Sequence, residues 1–139
     1  MPQRITIRTT ICASPERVWA CYTQPEHITQ WNFASPQWCC PNATNDLAPG
    51  GKFSWRMEAR DGSMGFDFEG VYDAVEEGQR IESHLANGRK VEIAFEQRGD
   101  HVDVTQTFEP EDENPAELQR QGWQSILDNF KRHAESAQT

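Results

Sequence analysis

An amphipathic segment over residues 115–134 limits most strongly which folds this chain can adopt. Its apolar side chains recur at steps of three and four residues, the spacing that places them on one side of an α-helix. Polar residues fall between them and occupy the other side. The pattern predicts one long helix with a buried face formed by Trp123, Ile126, Leu127, Phe130 and Ala134.

The start of this helix carries its own signals. Asn114 suits the N-cap, Pro115 suits the first helical position, and Glu117 stands where a capping box has its carboxylate. Gly122, inside the segment, costs about 1 kcal/mol relative to Ala. We expect this glycine to allow a strand to approach the helix closely, with room for a ligand as the alternative.

Regular turn signals divide the middle of the chain into strands. Pairs such as Asp61-Gly62, Asn87-Gly88 and Gly99-Asp100 suit tight hairpins. Between the turns, apolar and polar residues alternate, as they do in half-buried strands. The pattern predicts strands over 45–48, 52–59, 63–76, 80–86, 89–97 and 101–109, whereas 31–45 has no clean period and is interpreted as an aromatic-rich loop.

The first thirty residues predict one strand and two short helices. Alternating isoleucines over 4–12 indicate the strand, and the prolines at 15 and 25 mark the two helix starts. A meander of strands must bury its apolar face, and segment 115–134 is the only long amphipathic partner. The sequence therefore predicts an α+β fold in which a curved seven-stranded antiparallel sheet wraps around a long C-terminal helix, in a single domain over 1–139.

The charge of the chain argues against two classes of partner. A net charge of −9 repels phosphate backbones and anionic lipid surfaces, so neither nucleic acid nor a membrane is expected as a partner. No apolar run suits a signal peptide or a membrane-spanning helix. We therefore expect a cytoplasmic protein.

The four cysteines are expected to be reduced thiols. Cys39 and Cys40 are adjacent, a poor arrangement for an ordinary disulfide, and no pair has the CxxC spacing. A metal site built from Cys39, Cys40 and His27 is an alternative, but these residues lack the spacing of known zinc ligands. The sequence therefore predicts no metal and no cofactor.

Several motifs, taken in order along the chain, resemble a known family. They are Ser-Pro-Glu-Arg-Val-Trp at 14–19 followed by Trp31, Leu-Ala-Pro-Gly-Gly-Lys-Phe at 47–53, Glu-Gly-Val-Tyr at 69–72 with Arg-Ile at 80–81, and Gly-Trp at 122–123 with Ile-Leu at 126–127. The ordered set covers essentially the whole chain. It resembles the branch of the START-like (SRPBCC, helix-grip) superfamily named for activators of the heat-shock protein 90 ATPase.

This resemblance implies the helix-grip fold but no single function. The superfamily includes lipid carriers, hormone receptors, polyketide cyclases and proteins without a known ligand. The chain is similar to the small bacterial members, and we expect it to lack the additional N-terminal domain of the eukaryotic co-chaperones. That expectation argues against a chaperone role.

Large aromatic and sulfur-containing side chains at inward-facing positions predict a cavity between the sheet and the long helix. An apolar pocket with a few polar groups is the usual form of a small-molecule site. Plain core packing is the alternative for each of these residues. The predicted pocket residues are Trp31, Phe33, Phe53, Trp55, Met57, Phe66, Phe68, Tyr72 and Trp123.

Charged side chains on the same strands are expected to face solvent. Arg56 and Glu58 alternate away from the aromatic positions, as do three carboxylates on the following strand. A bulge could turn one carboxylate into the cavity, where burial and pairing would permit acid–base chemistry. The three carboxylates are Asp67, Glu69 and Asp73. Of the histidines, His27 is expected to be exposed or to cap a turn, and His84 is expected to lie on the surface.

Three functions remain open from the sequence. The first is binding of a small hydrophobic molecule, and the second is an enzyme resembling cyclases or dehydratases. The third is a protein-interaction module resembling the activators of heat-shock protein 90, and a homodimer is also possible. No nucleophile elbow, phosphate loop, dinucleotide fingerprint or HExxH motif is present, so catalysis rests on analogy alone.

Overall fold

The fold is a curved antiparallel sheet against which one long helix packs. A computed structural model describes residues 4–136. The predicted α+β helix-grip architecture, with seven strands and two short helices after the first strand, is confirmed. The elements are β1 (Ile5–Ile11), α1 (Pro15–Thr23), α2 (Pro25–Ile28), β2 (Trp38–Asn45), β3 (Lys52–Ala59), β4 (Gly65–Glu76), β5 (Arg80–Leu85), β6 (Lys90–Arg98), β7 (His101–Phe108) and α3 (Ala116–Glu135).

The strand order is β1-β7-β6-β5-β4-β3-β2, and every neighbouring pair is antiparallel. Strands β2 to β7 form a meander of hairpins, whereas β1 returns to pair with β7, with Ile5 opposite Phe108. The two edges of the sheet are therefore β1 and β2, which are consecutive in sequence and are joined through α1 and α2. None of the helices in residues 4–136 combines the length and apolarity that a membrane crossing requires.

The core lies between the concave face of the sheet and α3. Leu127, Phe130 and Ala134 of α3 are buried, in agreement with the predicted apolar stripe. Phe108 of β7 and Val18 of α1 are fully buried against the same core. Helix α3 therefore anchors both the sheet and the first helix.

Strand β2 differs from the sequence prediction. The predicted loop over 31–45 contains the strand Trp38–Asn45, and 45–48 does not form the predicted separate strand. The pairing of β2 with β3 shifts register between Cys39 and Asn42, and Pro41 lies in this irregularity. The bulge removes the alternation that marks a strand in sequence, and an edge strand tolerates a proline at such a position.

The start of α3 also differs. The helix begins at Ala116 with Pro115 as the N-cap, one residue later than predicted, and no side chain caps it. Asn114 instead donates from Nδ2 to Glu111 Oε1 at 2.6 Å, and its carbonyl accepts from Gln119 Nε2 at 2.8 Å. Glu117 pairs with Arg120 rather than with the backbone. The acidic linker thus competes for the groups that a capping box would use.

Gly122 of α3 does not serve the predicted purpose. A Cβ added at this position would meet no atom within 4 Å, apart from its chain neighbours and the helix's own backbone. No strand therefore approaches the helix there, and the expectation of close packing is wrong. The glycine leaves open space beside Trp123.

Candidate ligand cavity

A cavity of about 180 Å³ lies between the concave face of the sheet and α3. Strands β3 to β7 supply one side of it, α3 supplies the other, and residues of α1 and of the segment after α2 complete the lining. Its lining is mainly aromatic and aliphatic. The lining residues are Tyr22, Trp31, Asn32, Phe53, Trp55, Met57, Phe66, Phe68, Tyr72, Ile81, Ser83, Leu85, Val91, Ile93, Gln106, Trp123, Ile126 and Leu127.

All the predicted pocket residues except Phe33 line this cavity. Phe33 lies in a shallow depression on the outside of α3, where the Arg60 guanidinium carbon is 5.9 Å from its ring centroid. Asn129 Nδ2 donates to the Phe33 carbonyl at 2.6 Å and holds this loop against α3. The prediction for Phe33 is therefore wrong, because a loop residue follows no period that would show which way its side chain points.

The rings of β3 and β4 form a continuous aromatic wall. Phe53 and Trp55 have centroids 5.1 Å apart, and Trp55 stacks on Phe68 at 5.8 Å. Trp55 Nε1 donates to Asn45 Oδ1 at 2.7 Å, which satisfies the indole nitrogen. Alternation along each strand brings these side chains to one face, and antiparallel pairing places Trp55 opposite Phe68.

Trp123 forms the α3 side of the cavity. Its ring stacks on Phe108 with centroids 4.0 Å apart and planes at 7°, and it meets Phe68 edge-on at 5.9 Å. The side chain is nevertheless only partly buried. One face of Trp123 is therefore packed, while the ring also contributes to the cavity wall.

Phe66 is the most exposed of the residues that line the cavity. This ring lines the cavity, is 48% exposed, and lies 6.1 Å from Trp38 of β2. Phe66 therefore lies between the cavity and solvent, beside the ring of Trp38.

Four polar side chains in the lining were missed by the sequence analysis. Gln106 Nε2 donates to Tyr22 Oη at 3.4 Å, and Asn32 Nδ2 donates to Met57 Sδ at 3.3 Å, a weak acceptor. Ser83 Oγ donates to the Val91 carbonyl at 3.4 Å. The detectable signal was Gln106, which occupies an apolar position in the alternation of β7, whereas Asn32 follows no period.

The lining carries no charge near neutral pH. Burial raises the pKa of Tyr22 far above its ordinary value, and burial together with the nearby Tyr22 raises the pKa of Tyr72 in the same direction. Among the described residues that line the cavity, none is Asp, Glu, Lys, Arg or His. The cavity therefore favours neutral groups over ions.

Charged side chains of β3 and β4 lie on the outer face of the sheet. Arg56 Nε pairs with Glu58 at 2.9 Å and its Nη1 with Asp67 at 3.5 Å, and all three side chains are at least one-third exposed. The bulge considered for this region does occur, between Tyr72 and Ala74, but it leaves Asp73 exposed. Asp73 pairs there with His84 Nδ1 at 2.8 Å.

The histidine and vicinal cysteines do not form the metal group considered from sequence. His27 is partly buried, and its Nδ1 lies 2.9 Å from His133 Nε2 on α3. Cys39 and Cys40 are free thiols on β2, and Cys40 Sγ accepts from Asn32 Nδ2 at 3.8 Å. The expectation that His27 is exposed or caps a turn is therefore wrong.

Comparison with known proteins gives one family and several similar structures. A family model described as "Activator of Hsp90 ATPase homolog 1-like protein" matches residues 12–135. The solution structure of an AHSA1-like protein from Aeromonas hydrophila is 38% identical, covers 97% of this chain and 94% of that chain, and has a TM-score of 0.91. The solution structure of Chr148 from Cytophaga hutchinsonii is 48% identical, covers 95% and 92%, and has a TM-score of 0.82.

A more distant structure shares the fold alone. CalU16 from Micromonospora echinospora is 19% identical, covers 99% of this chain and 78% of that chain, and has a TM-score of 0.75. A search of the curated proteins finds no match.

Proposed function

The chain belongs to the family of activator of Hsp90 ATPase homolog 1-like proteins, and on this premise we propose that it binds a small, largely apolar molecule in the cavity between the sheet and α3. Proteins of this fold family generally bind hydrophobic ligands. The observation that carries the proposal is an aromatic-lined cavity whose wall includes the half-exposed ring of Phe66. The predicted resemblance to the START-like superfamily agrees with this family.

The size of the cavity supports a ligand about as large as one substituted ring. An apolar cavity of about 150 Å³ in a protein interior is sufficient to bind benzene. The cavity here measures about 180 Å³, which is smaller than the roughly 300–1,000 Å³ of pockets for drug-sized molecules. Long acyl chains and multi-ring molecules would require the walls to move.

The polar lining supports a ligand with one neutral hydrogen-bonding group. Tyr22, Gln106 and Asn32 make only long or weak hydrogen bonds with one another or with sulfur, so each can exchange its partner for a ligand atom at little cost. A charged ligand would lose its hydration without finding a counter-ion in the lining. We therefore infer that the ligand resembles a phenol, an aromatic amide or an indole.

Binding is favoured over acid–base catalysis by the same lining. General acid–base catalysis is most effective with a group whose pKa lies near the operating pH. The ionisable groups in the lining are the phenols of Tyr22 and Tyr72, and burial moves both pKa values away from neutrality. The cavity therefore suits a carrier or sensor of its ligand better than an enzyme of the cyclase or dehydratase kind.

The proposal is tested by ligand-detected NMR with matched probes. Benzamide and benzoate have the same shape and differ in charge, and we expect only benzamide to show saturation transfer from the protein. Ser83→Leu should fill the cavity and reduce benzamide binding more than about tenfold, a loss of about 1.4 kcal/mol. Circular dichroism checks that the variant is folded.

A matched pair of phenylalanine substitutions controls for general effects. Phe68→Leu alters the cavity wall, whereas Phe33→Leu alters a ring outside the cavity. Benzamide binding should weaken in the first variant and stay unchanged in the second. Equal binding of benzamide and benzoate, or equal loss in both leucine variants, would contradict the proposal.

A further inference from the structure

Three side chains with metal-ligating atoms meet where α1, α2 and α3 come together. Cys21 lies on α1, His27 on α2 and His133 in the last turn of α3. His27 Nδ1 is 2.9 Å from His133 Nε2 and 3.9 Å from Cys21 Sγ, and the three ligand atoms all lie within 4.8 Å of one another. These residues contribute nothing to the lining of the cavity.

The spacing of these atoms is close to that of a tetrahedral zinc site. With Zn–N bonds near 2.0–2.1 Å and a Zn–S bond near 2.3 Å, two ring nitrogens lie about 3.3 Å apart and a nitrogen and a sulfur about 3.6 Å apart. Two of the three separations, 2.9 Å between the ring nitrogens and 3.9 Å between His27 Nδ1 and Cys21 Sγ, differ from these values by a few tenths of an ångström, and the ligand atoms of Cys21 and His133 lie within 4.8 Å of each other. Coordination of one ion by all three residues therefore requires side-chain rotations that bring the ligand atoms of Cys21 and His133 to about 3.6 Å from each other.

We propose that Cys21, His27 and His133 bind one zinc ion, with water as the fourth ligand. Thiolate sulfur and imidazole nitrogen are preferred ligands of zinc, and hard cations such as Mg²⁺ prefer oxygen. Binding forms one Zn–S and two Zn–N bonds and releases the Cys21 thiol proton to solvent. The water occupies the fourth coordination position, where another ligand can replace it.

The backbone that carries these ligands is held in place. Trp31 Nε1 donates to the Cys21 carbonyl at 2.8 Å. Arg17 donates from its guanidinium to the carbonyls of His133 at 3.1 Å, Ala134 at 2.9 Å and Ser136 at 2.8 Å. The ligand-bearing parts of α1 and α3 are therefore linked before any ion binds, which lowers the entropy lost on coordination.

The surroundings allow an ion to reach the site and remain there. Cys21 is fully buried and forms the inner side, while the partly buried imidazoles form the outer side. The carbonyl end of α3 carries a partial negative charge that favours cations. Arg17 is the nearby opposing charge, and its hydrogen bonds to three of these carbonyls direct its donors toward the helix end.

Metal titration of the reduced, chelator-treated protein tests the proposal. Zinc should bind with one ion per chain and raise the unfolding temperature, and Mg²⁺ should do neither. Cobalt(II), a spectroscopic substitute for zinc, should give a thiolate-to-metal charge-transfer band and the intense visible bands of tetrahedral coordination. Cys21→Ser should abolish the charge-transfer band.

Single substitutions identify the ligands. His27→Gln and His133→Gln should each weaken zinc binding more than about a hundredfold. Loss of a residue that only supports a ligand weakens metal binding by about 10–100-fold, so a larger effect identifies the ligand itself. His84→Gln and Cys39→Ser, which change the same residue types elsewhere, should bind zinc like the parent protein. Absence of a thiolate band in the parent protein, or zinc affinity unchanged in the Cys21→Ser and His133→Gln variants, would overturn the proposal. The band is measured in the parent protein, so this test does not depend on whether a variant folds.

Discussion

At the scale of single residues, Tyr22 illustrates how the surroundings of one side chain determine the chemistry of the cavity. Its ring stacks on Trp31 with centroids 5.6 Å apart, and its hydroxyl accepts a long hydrogen bond from Gln106. Three more rings meet it edge-on. These three rings are Trp55, Phe95 and Phe130. The phenol of Tyr22 is therefore neutral, buried and available to a ligand.

The buried tyrosines predict a loss of stability in alkaline solution. In the folded protein the pKa of Tyr22 and of Tyr72 is raised, whereas in the unfolded chain both titrate near pH 10. The folded state thus keeps protons that the unfolded state loses, so the free energy of unfolding falls as pH rises above about 10. Urea unfolding measured at a series of pH values should show this fall, and Tyr22→Phe should make it less steep.

The tyrosine absorbance provides an independent check. The chain has only two tyrosines, and both are buried, so all of the tyrosine absorbance reports on them. Both should remain protonated in the native state until the protein unfolds. A phenolate signal that develops near pH 10 in folded protein would contradict the burial argument.

Trp123→Ala separates packing from binding at one residue. Loss of a fully buried Trp costs about 3–5 kcal/mol, and since Trp123 is only partly buried we expect about 2–3 kcal/mol. Benzamide binding should weaken as well, because the ring forms part of the cavity wall. Urea unfolding and the NMR titration measure the two effects, and a stability loss with unchanged binding would mean that Trp123 is only structural.

At the scale of secondary-structure elements, two glycines show opposite constraints. A Cβ on Gly70 of β4 would lie 2.5 Å from Phe53 Cζ and 2.5 Å from the His84 carbonyl, whereas a Cβ on Gly122 of α3 would meet nothing within 4 Å. Strand β4 thus needs a glycine where the aromatic wall crosses it. Helix α3 has no such need.

The matched pair Gly122→Ala and Gly70→Ala tests this difference. Alanine at position 122 should stabilise the protein by about 0.5–1 kcal/mol through its higher helix propensity. Alanine at position 70 should destabilise it by about 1–3 kcal/mol because the backbone and Phe53 must shift. Urea unfolding compares the two directly, and effects of the same sign would show that the packing around one of these glycines is misassigned.

At the scale of the whole molecule, the two edge strands of the sheet, β1 and β2, are connected through α1 and α2. Strand β1 closes on β7 at one edge and β2 ends the other, while α3 packs against the sheet between them. Cys21 of α1 and Cys40 of β2 are both buried and report on these two regions. Their exposure can therefore show whether the regions open together.

We expect Cys21 and Cys40 to react with a thiol reagent only on global unfolding. Burial also raises the pKa of both thiols, which keeps them protonated and slow to react. In chelator-treated protein, their labelling by mass spectrometry should follow the same urea midpoint as tryptophan fluorescence. Labelling of Cys40 at lower urea would show that the β2 edge opens before the core.

Local periodicity was sufficient to predict the architecture. The three-and-four spacing in α3 and the alternation in β3 to β7 depend only on neighbours along the chain, and they identify which side of each element is apolar. The amphipathic helix could cover only the apolar face of the meander, so the helix-grip arrangement and the aromatic wall of the cavity followed. The bulged strand β2 and the start of α3 did not, because a bulge and a competing side-chain network leave no periodic signal.

Only the tertiary structure determined which distant side chains meet. The sequence identified Phe33 as a cavity residue, but Asn129 holds its loop outside. The sequence analysis missed Asn32 as a polar group in the lining. It also did not bring together Cys21, His27 and His133, because His133 is 106 residues from His27. Contacts of this kind depend on how elements dock and on loop paths, which are decided by packing across the whole fold and not by the residues nearby in the chain.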